Sequence, residues 1–112
     1  MATLIQLIGP QACGKTTLRK LLAPDALDIS YCLNGYFNDE MLNSFNGFYF
    51  HEEPSLQGLR NLEDWLSGDT LRVERRGQCT MFTSMPPIWI YEGHRPIYGN
   101  FESLIWEIKR GR

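Results

Sequence analysis

The apolar positions of this chain fall into short runs separated by polar or glycine-rich breaks. Thr3–Ile8 has the length and apolar character of a buried strand. After it, Leu18, Leu21 and Leu22 share one face of a predicted helix that Pro24 ends. The other predicted elements are strands at 26–31, 48–50 and 88–91, a short helix at 38–42, and a helix from Ser55 to a cap at Gly68. This order predicts an α/β sandwich.

The C-terminal segment fits two patterns. Phe101, Leu104, Ile105 and Ile108 recur at helical spacing, whereas Leu104, Trp106 and Ile108 alternate as in a strand. Both interpretations stay open from the sequence.

The loop between the first strand and the first helix has the pattern G-x-x-x-x-G-K-[ST] without a mismatch. Its glycines let successive backbone N–H groups turn towards phosphate oxygens, and the helix N-terminus adds partial positive charge. Lys15 adds a full charge, and the Thr16 hydroxyl can ligate Mg²⁺. The alternative is a glycine-rich turn without a ligand. We expect nucleotide binding by Gly9, Pro10, Gln11, Ala12, Cys13, Gly14, Lys15, Thr16 and Thr17.

Two adjacent acids, Glu52 and Glu53, follow the aromatic strand about 35 residues after the phosphate loop. One carboxylate can serve a metal while the other accepts a proton from the attacking water. We therefore predict Lys15, Glu52 and Glu53 as catalytic residues and Thr16, Glu52 and Glu53 as metal ligands. The alternative is that the two acids are solvated loop residues.

Length and composition are typical of one globular domain spanning residues 1–112, with 43% hydrophobic and 12% aromatic residues. No apolar run has the length of a membrane span, and residues 1–8 lack the basic flank of a signal peptide. The three cysteines, Cys13, Cys32 and Cys79, are odd in number and lack metal-ligand spacing. Free thiols in a reducing, intracellular compartment are the simplest account.

The net charge of −2 hides an asymmetry, because residues 1–69 carry −5 and residues 70–112 carry +3. Two strand-like runs around Gly77 predict a hairpin with Arg72, Arg75 and Arg76 near its tip. These arginines can bind nucleic-acid phosphates, or they can protect an edge strand from aggregation.

The order of these motifs resembles the superfamily 3 helicase core of small DNA virus replication proteins, such as those of papillomaviruses, polyomaviruses, parvoviruses and circoviruses. Residues 9–16 look like its A motif, 48–53 its B motif, 62–76 its B′ region and 86–91 the strand of its C motif. The compact order of all four within about 85 residues carries the resemblance.

The resemblance implies a P-loop NTPase of the AAA+-like type, a three-layer α/β sandwich with a mainly parallel central sheet and a β-hairpin insertion. It also implies a homo-oligomeric ring, usually a hexamer in the full-length protein, with ATP and Mg²⁺ bound between subunits and single-stranded DNA gripped by the hairpin. We expect no membrane partner, because no apolar run has the length of a membrane span. The compartment would be the host nucleus for a eukaryotic DNA virus and the cytoplasm otherwise.

Two family features are replaced in this chain. The C motif strand runs into Glu92-Gly93-His94 instead of ending in an Asn, and no arginine finger stands at the expected distance. His94 and Arg95 are the candidates for a sensor and a finger.

Three candidate functions are consistent with the sequence. The first is an ATP-dependent DNA helicase core of a viral or plasmid-type replication protein. The second is a nucleotide-binding or assembly module with the same fold that does not hydrolyse ATP. The third, less favoured because no arginine-rich lid is evident, is a small P-loop kinase.

Overall fold

The computed structural model describes residues 2–10, 14–30, 33, 37–38, 47–68, 70–74, 80–84 and 88–109, with only the backbone described at 37–38, 70–74 and 80–84. The first half has a strand, a helix, three further strands and a second helix, whereas the hydrophobic pattern predicts a short helix at the position of the middle one of those three strands. The elements are β1 (Thr3–Ile8), α1 (Lys15–Leu22), β2 (Leu27–Asp28), β3 (Phe37–Asn38), β4 (Gly47–Phe50), α2 (Leu56–Ser67), β5 (Thr70–Glu74), β6 (Thr80–Ser84), β7 (Ile88–Gly93) and β8 (Glu102–Glu107).

Five strands form a central sheet in the order β2-β4-β7-β1-β8, and every neighbouring pair is parallel. Because parallel strands end at one edge of a sheet, the segments that follow β1, β4 and β7 meet there. The predicted P-loop-type α/β fold is confirmed. The strand order places β7 between the strand before the phosphate loop and the strand before the paired acids.

One face of this sheet packs against α2. Leu4, Phe48 and Trp89 are fully buried there with Leu62 and Leu66 of the helix. The Phe48 and Trp89 rings meet edge to face with centroids 5.0 Å apart. Each fully buried side chain of this size contributes about 1.5–3 kcal/mol relative to an exposed one. Among the described residues, this face buries more apolar side chains than the other and is therefore the larger core.

The other face packs against α1, which completes three layers. Leu7 and Ile90 are buried there beneath Leu18 and Leu22. Leu21, predicted to share this apolar face, is instead 77% exposed. Arg19 is the buried residue of α1, and Leu21, two residues later at 3.6 residues per turn, projects from nearly the opposite side of the helix.

α2 begins where the sequence predicts, since the Ser55 hydroxyl accepts a hydrogen bond of 3.1 Å from the Gly58 N–H and so caps the helix. Gly68 follows its last residue in an extended conformation. In the described part of the chain, no helix combines the length and the apolar character that crossing a bilayer requires.

The ambiguous C-terminal segment is a strand. β8 pairs with β1 in parallel from Thr3 opposite Glu102 to Ile8 opposite Glu107. This pairing satisfies the backbone groups along one side of β1 that a helix would leave without ladder partners. β8 is an edge strand, so its outer face leaves Leu104 49% exposed.

The predicted hairpin is also present. β5 and β6 pair antiparallel, from Thr70 opposite Ser84 to Glu74 opposite Thr80. Phe37–Asn38, at the start of the predicted short helix, is a strand that extends this second sheet beside β5, so Asn38 is not a helix cap. Residues 39–46 lie outside the described residues.

A buried glutamine ties the segment after β7 to β1. Gln6 is fully buried, and its Nε2 donates to the Ile97 carbonyl at 2.8 Å and to Ser103 Oγ at 3.0 Å. Its Oε1 accepts from the Ile97 N–H at 2.8 Å. Because all these groups are satisfied, the polar residue stabilises the interior and fixes the segment that borders the site.

Candidate nucleotide-binding site

The phosphate loop leaves the carboxyl end of β1 and enters α1 through Gly14. Gly14 has φ +94°, a left-handed conformation that glycine adopts without a Cβ clash. Gly14, the N-cap residue of α1, has no side chain with which to cap the helix, and the first turn contains no acid. Its N-terminal partial charge is therefore suited to an anion. Gln11, Ala12 and Cys13, within the predicted loop, lie outside the described residues, as do the other two cysteines.

The Lys15 ammonium joins the phosphate loop to the end of β7. Its Nζ donates to the Gly9 carbonyl at 2.7 Å and to the Gly93 carbonyl at 3.1 Å. The Gly9 N–H also donates to the Gly93 carbonyl, at 3.0 Å. The absence of a side chain on Gly93 leaves room for the Tyr91 ring, which a Cβ there would overlap. Lys15 is thus held at the mouth of the loop.

A buried carboxylate at the end of β7 lies beside Thr16. Glu92 is only 8% exposed, and its Oε2 accepts a hydrogen bond of 3.2 Å from the Thr16 hydroxyl. Its Oε1 pairs with Arg19 Nε at 2.7 Å. The Arg19 guanidinium also stacks over the Tyr49 ring, 3.8 Å from its centroid. Two strands and one helix therefore meet through this buried pair.

The paired acids that follow β4 are exposed. Glu53 lines the cavity at the mouth of the loop, whereas Glu52 is not among the described residues that line it. Burial raises the pKa of Tyr91 above its ordinary value, and the negative charge of Glu53 raises it further. The Glu53 carboxylate therefore acts on Tyr91 near the end of β7, and it lines the same cavity as Lys15.

His51 and Asp28 form a second polar pair at the ends of β4 and β2. His51 Nε2 lies 3.0 Å from Asp28 Oδ2, and the Ser30 N–H donates to Asp28 Oδ1 at 2.9 Å. Burial acts to raise the pKa of Asp28, but the hydrogen bonds from Ser30 and the bond and charge of His51 outweigh it. The pKa of Asp28 is consequently lowered.

These groups surround one cavity of about 900 Å³ at the carboxyl edge of the sheet. Its volume lies within the range of small-molecule sites, and its lining carries charges of both signs. The sensor and finger candidates, His94 and Arg95, are exposed and line it too. The described lining residues are Lys15, Thr16, His51, Glu53, Tyr91, Glu92, Gly93, His94 and Arg95.

The predicted DNA-binding arginines are only partly placed. Arg72 lies in β5, where the backbone alone is described, and Arg75 and Arg76 are outside the described residues. Their role stays a prediction. The described residues also contain no group of three or more His, Cys, Asp or Glu side chains arranged to hold a metal ion. A Mg²⁺ ion bound through phosphates, waters and one or two protein oxygens does not need such a cluster.

Sequence reasoning missed Glu92 and Arg19. Two signals could have indicated them. Glu92 is an acid at the carboxyl end of an apolar run, the same position relative to a strand that drew attention to Glu52 and Glu53. Arg19 lies three residues after Thr16 and therefore projects from the same side of α1.

Comparison with known proteins gives a structural match. No protein-family profile and no curated protein sequence matches the chain. Among solved structures, it is similar to the apo A form of the C-terminal region of NrS-1, with a TM-score of 0.69 and 16% sequence identity over 96% of this chain. The chain spans 29% of the length of that structure. At this identity the likeness concerns the fold, which the two chains share.

Proposed function

We propose that this chain binds ATP with Mg²⁺ at the loop between β1 and α1. The observation that carries the proposal is the arrangement of Gly14, Lys15 and Thr16 at the start of an uncapped helix, facing a cavity of about 900 Å³. A lysine ammonium has three N–H donors. Two of those of Lys15 meet the carbonyls of Gly9 and Gly93, which leaves one for a phosphate oxygen.

The oxygens around the cavity fit Mg²⁺. The ion prefers oxygen ligands and, with nucleotides, keeps several waters beside one or two protein groups. The Thr16 hydroxyl would hold it, with Glu53 or Glu52 as acidic partner. Mg²⁺ would neutralise charge on the phosphates, while Lys15 binds the same phosphates and a carboxylate accepts the proton of the attacking water.

We further propose that the domain is the ATP-dependent helicase core of a replication protein, acting as a ring on single-stranded DNA inside the cell. The superfamily 3 resemblance supports this, together with the antiparallel β5–β6 pair at the position of the B′ region. Arg72, Arg75 and Arg76 would contact DNA phosphates. His94 and Arg95, which line the cavity, would serve at the boundary between subunits.

A second candidate, a module that binds ATP without hydrolysing it, is favoured by specific features of the site. The acids after β4 are exposed, and β7 ends in a buried glutamate where the family has an asparagine. This module would bind ATP and assemble with negligible turnover, and Glu53→Gln would change neither property.

The test is ATP binding and turnover measured alongside molecular mass, with and without single-stranded DNA. Lys15→Ala should weaken ATP binding by about 10- to 100-fold, because a charged hydrogen bond contributes about 1.5–3 kcal/mol. Lys20→Ala removes an exposed lysine from the same helix and should bind as the unchanged chain does. Undiminished binding by Lys15→Ala would contradict the nucleotide-site assignment.

Turnover separates the two candidates. Mg²⁺-dependent hydrolysis that DNA stimulates and Glu53→Gln removes supports the motor. Tight binding with nucleotide-driven assembly and no turnover supports the binding module.

The DNA role is tested by salt dependence. The double variant Arg75→Ala/Arg76→Ala should bind single-stranded DNA more weakly and with a shallower salt slope. The matched control Lys20→Ala/Arg60→Ala removes two exposed charges elsewhere and should retain both properties. Equal behaviour of the two double variants would return the arginines to the edge-strand interpretation.

A further inference from the structure

Each oxygen of the Glu92 carboxylate has its own partner. Oε1 lies 2.7 Å from Arg19 Nε, and Oε2 accepts from Thr16 Oγ1 at 3.2 Å. The Cα of Glu92 is fixed in the ladder opposite Leu7 of β1. The carboxylate is therefore held by its strand, by a cation and by a hydroxyl, and its orientation relative to α1 is set.

The hydrogen bond to Glu92 determines how Thr16 presents its oxygen. A threonine hydroxyl has one proton and two lone pairs. When the proton points to Glu92 Oε2, the lone pairs of Thr16 point elsewhere, and Thr16 lines the cavity. A cation in the cavity would meet an oxygen that is already oriented to accept it.

Arg19 holds the carboxylate in this position. Its guanidinium contacts Glu92 on one side and stacks on Tyr49 of β4 on the other. The side chains of Arg19 and Glu92 are each only 9% exposed, so solvent screens the pair little. A freely rotating carboxylate would accept the Thr16 proton in many orientations. The Glu92 carboxylate, held by Arg19, accepts it in one orientation.

We propose that Glu92 is a positioning residue for Mg²⁺, which orients the Thr16 hydroxyl while Arg19 fixes the carboxylate. This inference rests on the proposed ATP site and adds to it an acid of β7, the strand beside β1, that acts through Thr16, while the exposed acids after β4 stay the proposed ligands. It predicts that Glu92 acts on the metal-dependent part of nucleotide affinity through Thr16.

The experiment measures the dissociation constant of ATP in Mg²⁺ and in EDTA. For the unchanged chain, Mg²⁺ should tighten binding. Glu92→Gln should reduce this tightening about tenfold while leaving affinity in EDTA within about twofold, because the amide cannot accept from both Arg19 and Thr16 in the same geometry. The control Asp64→Asn, an exposed acid on α2, should keep the full tightening.

A double-mutant cycle with Thr16→Val tests the route. If Glu92 acts through the Thr16 hydroxyl, Glu92→Gln adds nothing to the loss already caused by Thr16→Val. Additive losses would show that Glu92 does not act through Thr16, and equal losses in Mg²⁺ and EDTA would show a structural role only; either result overturns the inference.

Two further outcomes keep this inference separate from the proposed function. If no ATP binds in either condition, both fail; if ATP binds equally well with and without Mg²⁺, the nucleotide site stands and the role of Glu92 falls. Should Glu92→Gln not fold, Glu92→Asp keeps the negative charge beside Arg19 and shortens the side chain by one CH₂, which moves the carboxylate back from the Thr16 hydroxyl. Glu92→Asp should then lose the tightening by Mg²⁺, and its full retention would overturn the inference.

Discussion

The ends of β7 and β4 are neighbours in one sheet, and each carries acids after an apolar strand, yet their surroundings differ. Glu92 in β7 is buried, with both oxygens bound by Arg19 and Thr16. Glu53, just beyond β4, is exposed at the edge of the cavity. A buried and paired acid holds other groups in place, whereas an exposed acid can approach a substrate and exchange protons with water. A sequence motif thus locates an acid, but the burial of the acid determines whether it holds other groups or meets a substrate.

We expect the largest change in stability from Arg19→Ala. It removes the cation from the buried pair, and we expect a loss of about 3–5 kcal/mol in the free energy of unfolding because Glu92 stays buried without its partner. Urea denaturation measures it. Lys20→Ala and Glu53→Gln alter exposed charges and should each change stability by less than about 0.5 kcal/mol. A small effect of Arg19→Ala would mean that the carboxylate does not depend on this cation.

The contrast between Glu92 and Glu53 also shows where sequence reasoning ends. Local patterns predicted α1, α2, the β5–β6 pair and the apolar strands, because those features depend on residues close together in the chain. They also predicted a short helix at 38–42, where Phe37–Asn38 is a strand held by pairing with β5. The pair between Arg19 and Glu92 joins positions 73 residues apart, and only the sheet order brings them together. Periodicity also could not decide between helix and strand for β8, because the pairing with β1 selects the strand. It could not show either that Arg19 is buried while Leu21 is exposed.

The next largest effect concerns the segment that follows β7. Gln6→Leu removes three hydrogen bonds and leaves the backbone groups of Ile97 without their side-chain partner. We expect a loss of about 2–3 kcal/mol, because buried polar groups without partners are costly. Hydrogen exchange should increase in residues 93–97 more than in β4. An equal increase in residues 93–97 and in β4 would show that Gln6 does not specifically stabilise the segment after β7.

A smaller effect is expected at the β4 side, where Asp28 meets His51. The pKa of Asp28 is lowered in the folded chain, so its contribution to stability is present above its unfolded value of 3.8 and is lost as pH falls through the lower folded value. Asp28→Asn should weaken stability at neutral pH by at most about 1 kcal/mol and flatten its decline in acid. Urea midpoints from pH 6 to pH 2 measure this, with Asp64→Asn as the control. An unchanged acid limb would contradict the assignment.

The smallest expected effect concerns the electrostatic interaction between the ends of β4 and β7. Burial raises the pKa of Tyr91 above 10.0, and the charge of Glu53 adds to that rise. A raised pKa means that Tyr91 contributes stability below pH 10 that is lost as pH rises through its folded value. Glu53→Gln should therefore lower the pKa of Tyr91 without returning it to 10.0, because burial is the larger cause.

Ultraviolet titration of the phenolate, with Tyr91→Phe to identify the Tyr91 contribution, measures the shift. Glu52→Gln removes the adjacent acid, which is outside the described cavity lining, and should leave the titration unchanged. Equal effects of the two Glu→Gln variants would show that the field at Tyr91 is general to the loop. A specific effect of Glu53 would show that a charge beyond β4 is felt at the end of β7. The charge of a nucleotide bound between these strand ends would then also shift the pKa of Tyr91.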